Sequence, residues 1–209
     1  KTAKEVWDLC NEKLSHDDMS VRNLIKKANV TLICTTDDPI DDLKWHKLIK
    51  EDDSFDVQVL PAWRPDKAVN INKPDFMEYV GKLADAAQME INTFEDLKKA
   101  LANRMDFFAE KGCSVADHGL DYVMYVPASD DEIEAIFAKK RNGEELTNEE
   151  VVKFKTAIML FLAKENKNRN WVMQLHYGCK RDNNTVMFDK LGPDTGYDCI
   201  SNEAPGSQL

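Results

Sequence analysis

The sequence predicts an α/β fold with a parallel sheet, because short apolar strands alternate with amphipathic helices along its 209 residues. Helical patterns follow the predicted strands, which is the order of βαβ units. Polar side chains come directly after each strand, as they do at the carboxyl edge of a (β/α)8 barrel or a doubly wound sheet. We count four strands, whereas a complete (β/α)8 barrel has eight. These patterns alone therefore predict either part of a barrel or an open sheet.

The strands are short apolar runs rich in β-branched residues, which favours buried strands. The predicted strands cover residues 30–35, 56–63, 113–116 and 171–175. No glycine-rich phosphate loop follows any of them, which disfavours a nucleotide site. The chain from Lys180 onward is rich in Asn, Asp and Gly, so we expect loops there.

The helices follow from apolar residues at helical spacing and from capping residues at their starts. Ser20 and Asp38 are predicted N-caps, the latter with Pro39 in the first turn, and Gly112 is placed to end a helix. The predicted helices cover residues 2–14, 21–28, 39–50, 73–88, 93–111, 130–142 and 148–166. We therefore expect one domain over residues 1–209, with helical insertions near 71–112 and 127–169.

The net charge of −10 and the pI near 4.9 argue against a nucleic-acid partner and against adhesion to an anionic membrane surface. The most apolar run, residues 156–163, is too short to cross a membrane. The five cysteines are scattered and form no CxxC pair. Cys34 and Cys113 adjoin apolar runs, which predicts buried free thiols and a cytoplasmic protein.

The residues that follow the strands are the candidates for chemistry. Asp37 could act as a base, a metal ligand or an acceptor for hydroxyl groups. Arg64 could offer a bidentate fork to a carboxylate or form a surface ion pair. His118 could be a general base, a metal ligand or a structural histidine, and its neighbour Asp117 should point to the opposite face of the strand. His176 could line the same carboxyl edge of the sheet. The sequence contains no HxH or HxxxH motif, so it carries no strong metal-binding motif.

Five short strings occur in order over nearly the whole chain, and together they resemble uronate (glucuronate) isomerases. They are ICTTDDP at 33–39, LPAWRPDK at 60–67, DHG at 117–119, QLHYG at 174–178 and LGPDTG at 191–196. Arg181, Asn183, Asn184 and Thr185 follow the fourth string closely. The resemblance implies a distorted (β/α)8 TIM barrel of the amidohydrolase superfamily, of which this chain would supply about four βα units with extra helices.

The resemblance also implies a reaction, the aldose–ketose interconversion of D-glucuronate with D-fructuronate and of D-galacturonate with D-tagaturonate. Such enzymes hold one divalent metal, commonly zinc, on an HxH of the first barrel strand and an Asp near the last. Neither motif occurs here. We therefore expect a central fragment without metal ligands, inactive by itself, from a cytoplasmic enzyme that forms homo-oligomers and takes a small uronate as its substrate.

The site residues carried over from this resemblance have two expected roles. Asp37 and His118 are the expected catalytic residues. The expected substrate-binding residues are Thr36, Arg64, Asp117, His176 and Arg181.

Two other functions stay open. The first is a non-catalytic binding or scaffold protein built from half a barrel, which should self-associate through its open sheet edges. The second is a metal-dependent hydrolase of the same superfamily, and the string at residues 63–66, WRPD, argues against it.

Overall fold

The computed structural model describes residues 2–202 of the chain. Contacts divide the chain into two compact units. Within residues 2–202, one unit contains residues 2–35 and 43–60, and the other contains residues 36–42 and 61–202. The second unit carries all of the predicted site residues.

The first unit contains helices and one pair of short parallel strands. Its elements are α1 (Ala3–Leu14), a 3-10 turn (Asp17–Met19), α2 (Val21–Lys27), β1 (Leu32–Cys34), α3 (Lys44–Lys50) and β2 (Gln58–Leu60). Strands β1 and β2 pair in parallel, with Ile33 opposite Val59. The predicted helices and strands of this part of the chain are confirmed, with shorter bounds for the strands.

Two predictions for this region are wrong. Strand β1 is not buried, because Leu32 and Cys34 are exposed and no described strand other than β2 pairs with it. Asp38 does not cap α3. Its side chain accepts the N–H of Ile40 at 3.2 Å, which closes a tight turn, and α3 begins only after Leu43, whose φ of 54° interrupts any helix.

The second unit contains most of the helices and the longer strands. Its elements are α4 (Asp66–Val69), α5 (Phe76–Ala87), α6 (Phe94–Glu110), β3 (Val115–Leu120), α7 (Asp130–Arg141), α8 (Asn148–Asn168), β4 (Val172–Tyr177), β5 (Cys179–Lys180), α9 (Thr185–Leu191) and β6 (Cys199–Ile200). The region after Lys180 is thus not simply loop, since it forms α9 and an antiparallel β5–β6 pair. These elements are too short to leave a periodic pattern in the sequence.

The strand ends of the second unit lie side by side in chain order. Trp63 forms parallel bridges with Asp37 on one side and with Ala116 of β3 on the other. Strand β3 then pairs in parallel with β4, from Val115 opposite Val172 to Leu120 opposite Tyr177. This consecutive parallel order is the order of strands in a (β/α)8 barrel. Asp117, His118 and His176 lie within β3 and β4 and not after them as predicted, because both strands extend beyond the apolar runs of the sequence.

The helices predicted as insertions pack on one another through aromatic side chains. The rings of Phe76 and Phe154 meet edge to face with centroids 5.8 Å apart, and Phe137 stacks on Phe154 at 6.4 Å. Trp63 is fully buried, and its ring meets Phe108 edge to face at 5.0 Å. This core fixes the strand that carries Arg64 against α6.

Arg104 of α6 holds the turn at residues 36–42 in place. Its buried guanidinium donates to the backbone carbonyls of Pro39 and Asp41, each at 2.8 Å. Burial lowers the pKa of this guanidinium. The group stays charged because the ordinary pKa of arginine lies far above neutral pH. The turn that follows Asp37 is therefore anchored to a helix.

Three helices of the second unit begin with capping boxes, at Thr93, Ser129 and Thr147. Thr93→Ala should lower the free energy of unfolding by about 1 kcal/mol, because the N–H of Asp96 loses its acceptor at 3.0 Å. Ser20→Ala is the matched control, since Ser20 occupies an N-cap position without a side-chain hydrogen bond. Chemical unfolding of the two variants beside the unchanged protein measures the difference, and equal effects would contradict the capping role.

Among residues 2–202, no helix combines the length and the apolar character that crossing a membrane would require. The cysteines also depart from expectation in part. Cys113 is buried as predicted, whereas Cys34 is exposed because it lies on the open strand β1.

Candidate active site

A cavity of about 850 Å³ opens at the carboxyl edge of β3 and β4. Three of the predicted site residues line it: Arg64, His176 and Arg181. Asp66 and Gly119 also line it, and neither was among the predicted site residues. A volume of this size suits a small organic ligand.

Arg64, Asp117 and His176 form one cluster at this edge. Nη2 of Arg64 donates to Oδ2 of Asp117 in a short ion pair. Nε2 of His176 lies 3.2 Å from Nη2 of Arg64 and 3.2 Å from Oδ1 of Asp117. Nε2 therefore lies within hydrogen-bond distance of both members of the Arg64–Asp117 pair.

Arg64 keeps donors that no described residue uses. Nε of Arg64 is buried and has no acceptor among residues 2–202, and Nη1 makes no hydrogen bond there either. A buried donor without a partner is destabilising by about 1–3 kcal/mol. Nε is enclosed by protein atoms, whereas Nη1 is not, so Nη1 is the donor that an acceptor in the cavity can reach.

Asp117 and His118 lie on opposite faces of β3, as predicted. The side chain of Asp117 joins Arg64, whereas His118 is fully buried and neither ring nitrogen has a hydrogen-bond partner among the described residues. Burial lowers the pKa of His118 to about 4, so its ring is neutral at pH 7. The structure therefore places the two residues in different surroundings.

Asp37 and Thr36 lie beside the cluster without lining the cavity. Oδ2 of Asp37 accepts the N–H of Ala62 at 3.1 Å, and the backbone of Asp37 accepts the N–H of Arg64 at 2.9 Å. Asp37 thus fixes the backbone from which Arg64 projects. Thr36 is exposed at the start of the same turn.

Arg181 lines the cavity from the β5–β6 side. Its Nη1 pairs with Oδ2 of Asp198 at 2.7 Å and with Oδ1 of Asp194 at 3.4 Å. These ion pairs connect the start of the segment after β4 to residues near its end.

Asp66 is the residue that sequence reasoning missed. Both oxygens of its carboxylate face the backbone N–H of Gly119, at 3.3 Å and 3.1 Å. Burial raises the pKa of Asp66 to about 6. The signal that could have found it is its position in the string LPAWRPDK, two residues after Arg64 and at the start of α4.

No group of three or more His, Cys, Asp or Glu side chains within residues 2–202 could hold a metal ion. In the cluster at the cavity, Asp117 and His176 both lie next to the guanidinium of Arg64. The donor set of the described residues therefore does not fit a divalent metal.

Comparison with known proteins gives the same result by sequence and by structure. The family profile described as glucuronate isomerase matches residues 1–209. A uronate isomerase of Lachnospira eligens is 62% identical over 200 residues, which are 96% of this chain and 43% of that protein. A uronate isomerase of Endomicrobium trichonymphae is 56% identical over 209 residues, which are 100% of this chain and 45% of that protein.

Among solved structures, the uronate isomerase of Thermotoga maritima aligns with a TM-score of 0.87 and 36% identity, over 97% of this chain and 44% of that chain. The glucuronate isomerase of Caulobacter crescentus aligns with a TM-score of 0.83 and 25% identity, over 92% and 40% of the two chains. The chain thus spans less than half the length of these relatives, and the predicted α/β fold of a partial barrel is confirmed.

Proposed function

The chain belongs to the glucuronate isomerase family, and from this we propose that the whole polypeptide in which it lies interconverts hexuronates between aldose and ketose forms. We call that polypeptide the parent enzyme. The proposed reactions are D-glucuronate with D-fructuronate and D-galacturonate with D-tagaturonate. This chain supplies one side of the active site and is inactive by itself.

The observation that supports this function best is the partly exposed guanidinium of Arg64, which lines the cavity and whose Nη1 makes no hydrogen bond among residues 2–202. A uronate carries a carboxylate at C6, and a guanidinium with unpaired N–H groups is a suitable partner for it. Asp117 orients Arg64 from the opposite side. We assign Arg64 to the C6 carboxylate, with His176 at the rim beside it and Arg181 at the far wall.

The remaining predicted residues receive supporting roles in this proposal. Asp37 and Thr36 lie outside the cavity, and in this proposal Asp37 positions Arg64 through the hydrogen bond between their backbones. His118 is neutral and buried, and in this proposal it assists proton transfer as an uncharged imidazole.

We also propose the wider properties that the family resemblance implies. The parent enzyme belongs to the amidohydrolase superfamily, is cytoplasmic and forms homo-oligomers. It holds one divalent metal, zinc, on residues outside this chain. No step described here passes through that metal.

Arg64→Met in the parent enzyme tests the assignment. It should raise KM for glucuronate at least about tenfold, equivalent to about 1.4 kcal/mol, because the C6 carboxylate loses its cation. Arg22→Met is the control, since Arg22 forms an exposed ion pair with Asp52 elsewhere in the chain. Steady-state kinetics with each uronate measure the change.

Unchanged KM in Arg64→Met would refute the role of Arg64 and leave the isomerase function standing. A parent enzyme that turns over neither glucuronate nor galacturonate would refute the proposed function itself. That second result would favour a non-catalytic binding protein.

A further inference from the structure

We propose that Gly119 is a positioning residue of the uronate site: without a side chain of its own, it leaves the space in which His176 reaches the carboxylate of Asp117. This inference rests on the proposed isomerase function and adds a residue to it. Its support is the register of β3 and β4, together with the distances between Gly119 and the side chains around it.

Gly119 and His176 are neighbours across the two strands. In the parallel pair of β3 and β4, Gly119 lies opposite His176. Side chains alternate between the two faces of a sheet, so residues in register share a face, as do residues two apart along one strand. The side chains of His176 and Asp117 therefore lie on one face, and the position of Gly119 adjoins both.

The imidazole of His176 occupies the space that a side chain at residue 119 would take. A Cβ on Gly119 would lie 3.0 Å from Cε1 and 3.5 Å from Nε2 of this ring. The first distance is well below the roughly 3.5–4.0 Å at which two carbon atoms pack best. The same Nε2 lies 3.2 Å from Oδ1 of Asp117 and 3.2 Å from Nη2 of Arg64. The ring can contact this pair because residue 119 has no side chain.

Asp66 closes the other side of Gly119. The N–H of Asp117 donates to the backbone carbonyl of Trp63 at 2.8 Å, as in a parallel ladder. Two residues further on, the N–H of Gly119 instead donates to Oδ2 of Asp66 at 3.1 Å. A Cβ on Gly119 would also lie 3.1 Å from this oxygen. An added methyl group would therefore be caught between the carboxyl group of Asp66 and the ring of His176.

Of these two neighbours, His176 has room to move. Its side chain is 42% exposed and lines the cavity, whereas the N–H of Gly119 holds Asp66 in place. Gly119 has the extended backbone of a strand, which alanine also adopts. A methyl group at this position should thus displace the ring and leave the fold intact. A shift of about 0.5 Å away from Asp117 and Arg64 would take Nε2 beyond hydrogen-bond distance of both.

Gly119→Ala in the parent enzyme is the direct test. KM for glucuronate should rise about three- to tenfold, the factor that one lost hydrogen bond implies, because Arg64 loses one of the two side chains that contact it. The value of kcat should stay within about twofold, since C1 and C2 lie at the opposite end of the uronate from the C6 carboxylate. A crystal structure of the variant should show Nε2 of His176 more than about 3.5 Å from Nη2 of Arg64.

Gly81→Ala is the matched control. It makes the same substitution on α5, where a Cβ would meet no atom within 4 Å. This variant should keep the KM and the kcat of the unchanged enzyme. The comparison separates the crowding of His176 from any general effect of replacing glycine by alanine.

A double-mutant cycle shows whether Gly119 acts through His176. His176→Ala should raise KM by a similar factor, and adding Gly119→Ala to it should raise KM less than about twofold further, because the methyl group then meets no ring. If Gly119→Ala alone does not fold, folding of the double variant would support the proposal, since removal of the ring relieves the clash.

Three results would overturn the proposal. They are a KM within about twofold of the unchanged enzyme in a folded Gly119→Ala, fully additive effects in the cycle, and a failure to fold that His176→Ala does not relieve. Each of them leaves the isomerase function standing. Absence of turnover in the unchanged parent enzyme would refute that function instead, and the crystallographic distance between His176 and Arg64 would still test the role of Gly119.

Discussion

Replacing Asp117 by Asn in the parent enzyme is expected to lower kcat/KM for uronates about 30- to 1000-fold, which corresponds to about 2–4 kcal/mol. Asp117 is largely buried and pairs with Nη2 of Arg64, next to Nε2 of His176. Without this carboxylate the guanidinium keeps its charge but loses the partner that orients it. The guanidinium of Arg64 is then no longer held in the orientation that binds the carboxylate of the substrate.

Asp52→Asn is the matched control, because Asp52 also pairs with an arginine, Arg22, but at the surface. Exposed ion pairs of this kind contribute little, so this variant should behave like the unchanged enzyme. The double variant Arg64→Met with Asp117→Asn should lose less than the sum of the single losses, since Asp117 acts through Arg64. Fully additive losses would contradict that coupling.

The second large effect is a pair of opposite pH dependences of stability within one site. Burial lowers the pKa of His118 from 6.5 to about 4. Between pH 6.5 and 4, His118 is therefore protonated in the unfolded chain but not in the folded chain. The free energy of unfolding falls as the pH drops through this range. Over this interval the loss from His118 is about 3 kcal/mol.

Asp66 acts in the other direction. Burial raises its pKa from 3.8 to about 6, so the folded chain holds a proton that the unfolded chain has released, and stability falls as the pH rises from 3.8 to 6. This loss is also about 3 kcal/mol. The two slopes nearly cancel in the unchanged protein between pH 4 and 6.

Single variants should expose each slope. Asp66→Asn should leave a protein that loses stability on acidification from pH 6.5 to 4, and His118→Leu should leave one that loses stability as the pH rises from 4 to 6. Denaturant unfolding at closely spaced pH values measures both. If the free energy of unfolding of the two variants changed with pH in the same way, Asp66 and His118 would not have the shifted pKa values that their burial implies.

Most of the fold follows from local patterns in the sequence. The long helices are predictable because capping residues such as Thr93 and Thr147 stand before clear helical periodicity. The parallel order of the strands is predictable because helices separate them. The turn at Asp38 is not predictable from the sequence. An Asp side chain that accepts the N–H of the residue two positions later has the same sequence signature as a helix N-cap.

The burial of β1 and the content of the site depend on neighbours that are distant in sequence. Leu32 and Cys34 have the composition of a buried strand, and their exposure reflects what packs beside them. Arg64 and His176 are predictable site residues because each comes directly after an apolar run in the sequence. Asp66 is harder to find, because its raised pKa comes from burial and its position from the N–H of Gly119, fifty-three residues along the chain.

The role of Arg64 as the anchor of the uronate is tested most directly by a crystal structure of the parent enzyme with a bound unreactive uronate. L-Gulonate, in which the C1 aldehyde of glucuronate is reduced to an alcohol, keeps the carboxylate and cannot isomerise. We expect its carboxylate within about 3 Å of Nη1 of Arg64, in the cavity beside His176. A carboxylate held by other cations, with Arg64 paired only to Asp117, would contradict it.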